Sequence, residues 1–360
     1  MKARKAWKAA VLLTATLLAA SACSSPSASP AASSASASTA GTVSVTNCNQ
    51  QVSYPSPADK VFVNDSGMIA MMLAIGAEKN LVGVSSLNRD HTVLSAHYGA
   101  SALSGLSETS PTMASLETIV AKQPQVVVAG WNYGFKQGGV TPESLRAVGI
   151  SPYVLSESCL QKQGEKARGI MDPWTALDTD LSNLGTITGH RAQASAVVSD
   201  IDARREALEK APQATAKPNV LVFDSGDTTV FTSGRFGGPQ AVITAAGGRN
   251  VMDDVADTWT TVSWEKVASS NADVIVFVDY GEQTFAQKTA LLESNPATKD
   301  LPAVKAKRYL NLPYAMWVSS PLNIDAAEQL RHAMEQWSLV PKSELPQPTH
   351  DDHIEVSPAS

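Results

Sequence analysis

Two stretches of this sequence fit only a sheet that is covered on both faces. SLETIVAKQPQVVV runs from Ser115 to Val128 and SWEKVASSNADVIVF from Ser263 to Phe277, and each ends in a strand-length run that is apolar at every position. A strand with one wet face alternates apolar and polar residues, so an unbroken aliphatic run predicts burial on both sides, as in a parallel sheet flanked by helices. The two stretches also begin alike, with Ser, a bulky apolar residue and Glu, and seven positions later a Pro or Ala opens the strand. Each beginning reads as a short helix, with Ser115 or Ser263 as N-cap and Glu117 or Glu265 at the positive end of the helix dipole. Capping explains each copy but not the repetition.

From Lys60 onward the chain alternates aliphatic runs with helical patterns. KVFVN leads into SGMIAMMLAIGA and then NLVGVSS; PQVVVAG, TPESLRAVGI and PYVLS follow, with Thr141 as helix cap and Pro142 at the first helical position. A second set, NVLVFDS, GPQAVITAAGG, SWEKVASS, ADVIVFVDY, FAQKTALLES, RYLNLP and DAAEQLRHAMEQW, repeats that character. Strand-helix alternation in both halves predicts two α/β lobes. Between them RAQASAVVSDIDARREALEKA sets Ala194, Val197, Val198, Ile201 and Leu208 along one helical stripe. No Gly or Pro interrupts it, so about 21 residues predict a rod of roughly 30 Å. A rod between lobes predicts only modest closure on a ligand.

The ends carry different information. The opening MKARKAWKAAVLLTATLLAASAC combines basic residues, a short apolar stretch and small residues before Cys23, which reads as a secretory signal, too short for a permanent span. Ala20-Ser21-Ala22-Cys23 resembles a bacterial lipobox, which makes Cys23 the lipidation site and anchors an exported protein to the outer face of the cytoplasmic membrane. Residues 24–46, rich in Ser, Ala and Pro and without charge, read as a disordered tether, and residues 341–360 as a disordered tail. That divides the chain into a signal at 1–23, an N-terminal lobe at 47–188, a connecting helix at 189–211 and a C-terminal lobe at 212–340. The net charge of −6 offers no basic patch for nucleic acid. With Cys23 assigned to lipid, Cys48 and Cys159 remain as an even pair in an exported chain; a disulfide and two inert buried thiols are the two readings, and the oxidising compartment favours the first.

With the lipobox, twin lobes, connecting helix and doubled Ser-x-Glu phrase together, the chain resembles the substrate-binding proteins of ABC importers for ferric siderophores, haem and cobalamin, over about residues 50 to 340. The resemblance implies two Rossmann-like lobes joined by a single long α-helix, the type III periplasmic binding protein fold. It also implies a monomer without catalytic activity or resident cofactor, partnered by a permease dimer. In that family a Glu on top of each lobe salt-bridges to permease arginines, and Glu117 and Glu265 occupy those positions here. The chain departs from the family in opening its first such strand with Pro124-Gln125 where Pro-Asp is common, and its second with Ala272-Asp273.

Loops at the carboxyl ends of the strands are expected to line the cleft between lobes. They offer Trp131, Tyr133 and Phe135 in the first half, then Arg235, Phe236, Trp259, Tyr314, Met316 and Trp317 in the second. Flat aromatic faces beside an Arg suit a bulky anionic metal chelate, a ferric siderophore foremost, with cobalamin or haem as the alternatives. The competing reading of Trp131 and Trp317 is closure of the lobe cores.

An enzyme reading rests on Asp65-Ser66-Gly67 and Asp224-Ser225-Gly226, one in each half, because two-lobed aspartic proteases pair carboxylates from such triplets. Those proteases are nearly all β, whereas Asp65 runs into a helical pattern, so Asp65 reads better as a helix cap or cleft residue and Asp224 as a turn residue. No Gly-x-Ser-x-Gly elbow occurs, and the six His are too scattered to predict a metal site.

Overall fold

Val126 to Ala129 and Val274 to Val278 have no exposed side chain, and each run forms an interior strand of a parallel sheet in the computed structural model, which describes residues 41–348 and 354–358. The first sheet is ordered Glu108–Ser110, Leu81–Ser85, Val61–Asn64, Val126–Trp131, Ser151–Val154, all parallel. The second runs Arg249–Asn250, Asn219–Phe223, Val274–Asp279, Tyr309–Pro313, again parallel. Covering helices supply the second apolar layer, so each buried Val or Leu contributes about 1.5–3 kcal/mol toward the ordering cost of the chain. The fold is α/β, two lobes joined by a long helix. The signal segment, Cys23, the tether through residue 40 and residues 349–353 and 359–360 lie outside the described residues.

The joining helix spans Arg191–Lys210 and follows a second helix, Pro173–Thr188, that the sequence patterns do not announce. Gly189 makes the corner at φ 84, a left-handed conformation that Gly reaches without Cβ strain. Ala194, Ile201 and Leu208 bury the expected stripe, and the helix packs on Ser66–Ala74 of the first lobe and on Gly238–Ala245 and Asn323–Gln336 of the second. Arg204 fixes it to the second lobe through Asp325 at 2.6 Å and Glu328 at 2.7 Å.

Both terminal boundaries differ from expectation. Residues 41–46, placed in the tether, belong to a hairpin of Gly41–Asn47 with Gln50–Ser56, whose Val45 and Tyr54 enter the core. Asn47 exchanges hydrogen bonds with the Val154 backbone at 2.7 and 3.0 Å, so the hairpin is sewn to the first sheet despite its Ser/Thr content. In the tail, Glu355–Val356 adds an antiparallel edge strand to Tyr309–Pro313, and Trp337 Nε1 donates to Ser357 O at 3.1 Å. The exposed backbone of the sheet edge supplies the partners that the polar composition of the tail concealed. Cys48 and Cys159 form a disulfide with a Cα–Cα distance of 5.4 Å, tying the hairpin turn to the loop after Ser151–Val154.

Candidate functional site

Strand ends of both lobes meet in one cluster of buried charge and aromatic rings. Asp65 stands between the strand Val61–Asn64 and the helix Ser66–Ala74, caps that helix by accepting from Gly67 N at 3.2 Å, and adopts φ 74, ψ 142. That backbone conformation costs a non-Gly residue about 1–3 kcal/mol, and the surroundings hold it in place. Asp65 N donates to Ser85 O at 3.2 Å, while its carboxylate accepts from Arg89 Nη2 at 3.1 Å and from Tyr314 Oη of the second lobe at 3.0 Å. Asp90 accepts from Ser66 Oγ, from Arg89 Nε at 3.3 Å and from Ala315 N at 3.0 Å. Glu157, on the disulfide-tied loop, accepts from Tyr133 Oη at 3.4 Å and from Ser319 N at 3.0 Å. Three buried carboxylates of the first lobe therefore hold one segment of the second, Tyr314 to Ser319.

Electrostatics follows the burial. Removal from water drives the Glu157 carboxyl up to about 7 against the opposing pull of Arg168, and raises Asp90 and Asp224 above the usual carboxylate range. The Arg89 guanidinium lies 3.9 Å from the Tyr314 ring centroid and 4.8 Å from that of Tyr280, whose ring centroids are themselves 4.8 Å apart. On the opposite side Arg168 donates to the carbonyls of Trp131, at 3.3 Å, and Trp259, and its Nε stands 3.7 Å from Asp257. Gly169 follows at φ 91, where a Cβ would overlap Phe236, so Gly is required for the lobes to approach there.

Of the residues picked from the sequence, Trp131, Tyr133, Trp259 and Tyr314 join this cluster, directly or through Arg168. Trp131 is half-buried, while Tyr133 and Tyr314 are nearly covered. Trp259, expected in a loop, begins the strand Trp259–Val262 instead, with its ring 5.9 Å from Phe231 across the antiparallel pair and its indole N–H unpartnered. Arg235 and Phe236 lie at the rim, lining a cavity of about 660 Å³ with Asp172, Pro173, Gln240, Asp253 and Asp254. Trp317 is a correction. It is fully buried, its Nε1 donates to Phe277 O at 3.0 Å, and Asn323 clamps the carbonyls of Met316 and Val318 on either side of it, which makes it core and not lining. Phe135 and Met316 are buried as well.

Arg89, Asp90, Glu157, Arg168 and Tyr280 were not singled out. Arg89, Asp90, Glu157 and Tyr280 follow the carboxyl end of a parallel strand, and that position alone nominates them; clustering of aromatics passes over the charged ones and over Tyr280, which stands singly after its strand. Glu117 and Glu265 stand exposed in the first turns of Leu116–Ala121 and Trp264–Ala268, capped by Ser115 and Ser263, so they are equivalent in local structure. Backbone and Ser115 hydrogen bonding holds the Glu117 carboxyl low, as Ser263 and the backbone do for Glu265. The aspartic protease reading fails on architecture, because Asp65 opens a helix beside a parallel sheet and is bonded to Arg89 and Tyr314, while Asp224 accepts from Ser225 Oγ at 2.9 Å. Among the described residues no group of three or more His, Cys, Asp or Glu is arranged to hold a metal ion.

Solved structures with the same fold include a periplasmic binding protein from Veillonella parvula, with TM-score 0.68 and 21% identity over 82% of this chain and 98% of that one. An ABC-type Fe3+-hydroxamate transport protein from Saccharomonospora viridis aligns with TM-score 0.65 and 21% identity over 81% and 98%. A periplasmic haem-binding protein from Pseudomonas aeruginosa gives 0.62 and 21% over 84% and 99%. No curated protein matches the sequence significantly. The family model described as periplasmic binding protein matches residues 61–315, across both lobes and the helix between them, and this chain belongs to that family.

Proposed function

We propose that this chain is the extracytoplasmic receptor of an ABC importer, which captures a metal chelate, a ferric siderophore, between its lobes and delivers it to the permease. The observation that carries the reading is the convergence of Trp131, Tyr133, Trp259, Tyr280 and Tyr314 with buried charged groups from both lobes at the carboxyl ends of both sheets. Aromatic faces bury the apolar periphery of a chelate. The receptor carries no cofactor of its own; the chelated metal is cargo. It is exported, held on the membrane as a monomer by lipid on Cys23, and it docks on the two-fold permease through Glu117 and Glu265, one exposed carboxylate per lobe.

Quenching of intrinsic Trp fluorescence on titration with ferric siderophores, cobalamin and haem tests the reading. Saturable binding of a ferric siderophore is the expected result. Saturation by cobalamin or haem alone reassigns the cargo, and cleavage of a peptide in acid with no binding at all defeats the transport reading.

A further inference from the structure

We infer that the cleft selects a chelate bearing a cationic group, which takes the place of Arg89 between Tyr280 and Tyr314 beside Asp65. This rests on the reading that the cleft holds a metal chelate. Arg89 already shows what the spot accepts. Its guanidinium is in contact range of two tyrosine faces, at 3.9 and 4.8 Å, and its nitrogens stand 3.1 and 3.3 Å from two buried carboxylates, Asp65 and Asp90, which together make a cage for a positive charge. The cage is open on one side, because Tyr280 is 38% exposed and the Arg89 side chain 23% exposed, so a group arriving in the cleft reaches it and Arg89 has solvent to move into.

The charge balance around the cage points the same way. Four buried carboxylates, Asp65, Asp90, Glu157 and Asp224, stand in one electrostatic neighbourhood with Arg89, Arg168 and Lys288. Lys288 Nζ is committed to the carbonyls of Val278 at 2.6 Å and Tyr280 at 3.0 Å, and Arg168 is shared with Asp257. Replacing Arg89 with a cation of the ligand keeps that balance, whereas an anionic arm adds a negative charge to a cluster already short of positive ones. Arg235, which suggested an anionic cargo from the sequence, is exposed at the rim among Asp172, Asp253 and Asp254.

Three ferric chelates with one common core separate the possibilities: ferrioxamine B, whose free arm ends in an ammonium, its neutral N-acetyl derivative and its anionic N-succinyl derivative. Titrated against the mature protein, the ammonium form is expected to bind about tenfold tighter than the acetyl form, the range of a partly desolvated cation–π contact, and the succinyl form weakest. Tyr280→Leu, at a partly exposed ring, is expected to reduce the ammonium form to the affinity of the acetyl form. Arg89→Ala is expected to strengthen the ammonium form, since the cage no longer has to be vacated. Equal affinities for all three, or tightest binding of the succinyl form with loss in Arg89→Ala, overturn the proposal and leave the siderophore reading standing. Binding of none of the three, with another ferric siderophore bound, overturns the proposal and leaves the siderophore reading standing; binding of no ferric siderophore at all overturns both.

Discussion

Tyr314 Oη donates to Asp65 Oδ2 at 3.0 Å across 249 residues of sequence, so a hydroxyl of one lobe is held by the carboxylate of a residue of the other whose backbone sits at φ 74. Tyr314→Phe removes that bond and keeps the ring against Arg89. A hydrogen bond to a charged acceptor contributes about 1.5–3 kcal/mol, and the Asp65 carboxylate retains Arg89, so a loss near the lower end is expected. Denaturant unfolding measures it. A variant as stable as the parent would show that Asp90 and Glu157 hold the segment without Tyr314.

Glu157 and Asp180 give the protein an acid-leaning stability. Burial raises both carboxyls to about 7, from 4.5 and 3.8 respectively, with Asp180 accepting from Tyr153 Oη at 2.6 Å and from Ser156. Between those ordinary values and 7 the folded chain holds the protons that the unfolded chain has released. Stability is therefore greatest toward the acid end of that window and falls as pH rises through it, by up to about 1.4 kcal/mol per pH unit for each group. Unfolding free energies measured from about pH 5 to about pH 8 are expected to decline, and Glu157→Gln to decline less steeply. A profile unchanged by Glu157→Gln would assign the slope to other groups.

Trp131 and Trp317 should separate. Trp317 is fully enclosed and bonded to Phe277 O, so Trp317→Ala is expected to cost about 3–5 kcal/mol of stability. Half-buried Trp131 stands beside the Arg168 strap, so Trp131→Ala is expected to weaken chelate binding with a thermal midpoint close to that of the parent. Thermal melts beside fluorescence titrations check the pair. Equal destabilisation by both would return Trp131 to the core.

The sheet was legible because Val126–Ala129 and Val274–Val278 leave a strand no wet face, and the joining helix because Ala194, Ile201 and Leu208 repeat at helical spacing. Elements stabilised by distant partners were not. The strand Glu355–Val356 depends on the edge of Tyr309–Pro313, and residues 41–46 depend on Val154 through Asn47. The site divides in the same manner. Aromatic loop residues were visible, but nothing adjacent in sequence tells Asp65 that Arg89 and Tyr314 will enclose it, and nothing around Trp317 announces the Asn323 clamp that turns its loop into core.

The Cys48–Cys159 bridge closes a segment of 111 residues and anchors the loop bearing Glu157. For loops near that length the chain-entropy estimate is about 4.7 kcal/mol, so reduction is expected to lower stability by several kcal/mol. Reduction should also loosen the Glu157–Ser319 contact and weaken chelate binding. Unfolding and titration with and without reductant measure both effects. Two freely alkylated thiols in the native, unreduced protein would show that the bridge does not form.

Glu117 and Glu265 present the one repetition in the sequence whose purpose the lobes themselves do not supply. Each caps nothing beyond its own first turn, each is exposed, and neither touches the cleft cluster. If they serve only their helices, charge reversal at either should leave transport unchanged. If they dock the permease, Glu117→Arg and Glu265→Arg should leave chelate affinity and the thermal midpoint close to those of the parent while weakening association with the transporter, because attraction to a basic permease residue becomes repulsion. Steered association between complementary charges is screened by salt, so the defect in the single variants should shrink as ionic strength rises. Chelate uptake by cells, set beside titration of the purified variants, reads the two effects separately. The double variant is expected to lose more uptake than either single one. Normal uptake in the double variant would mean that the repeated Ser-x-Glu phrase records only two lobes built alike.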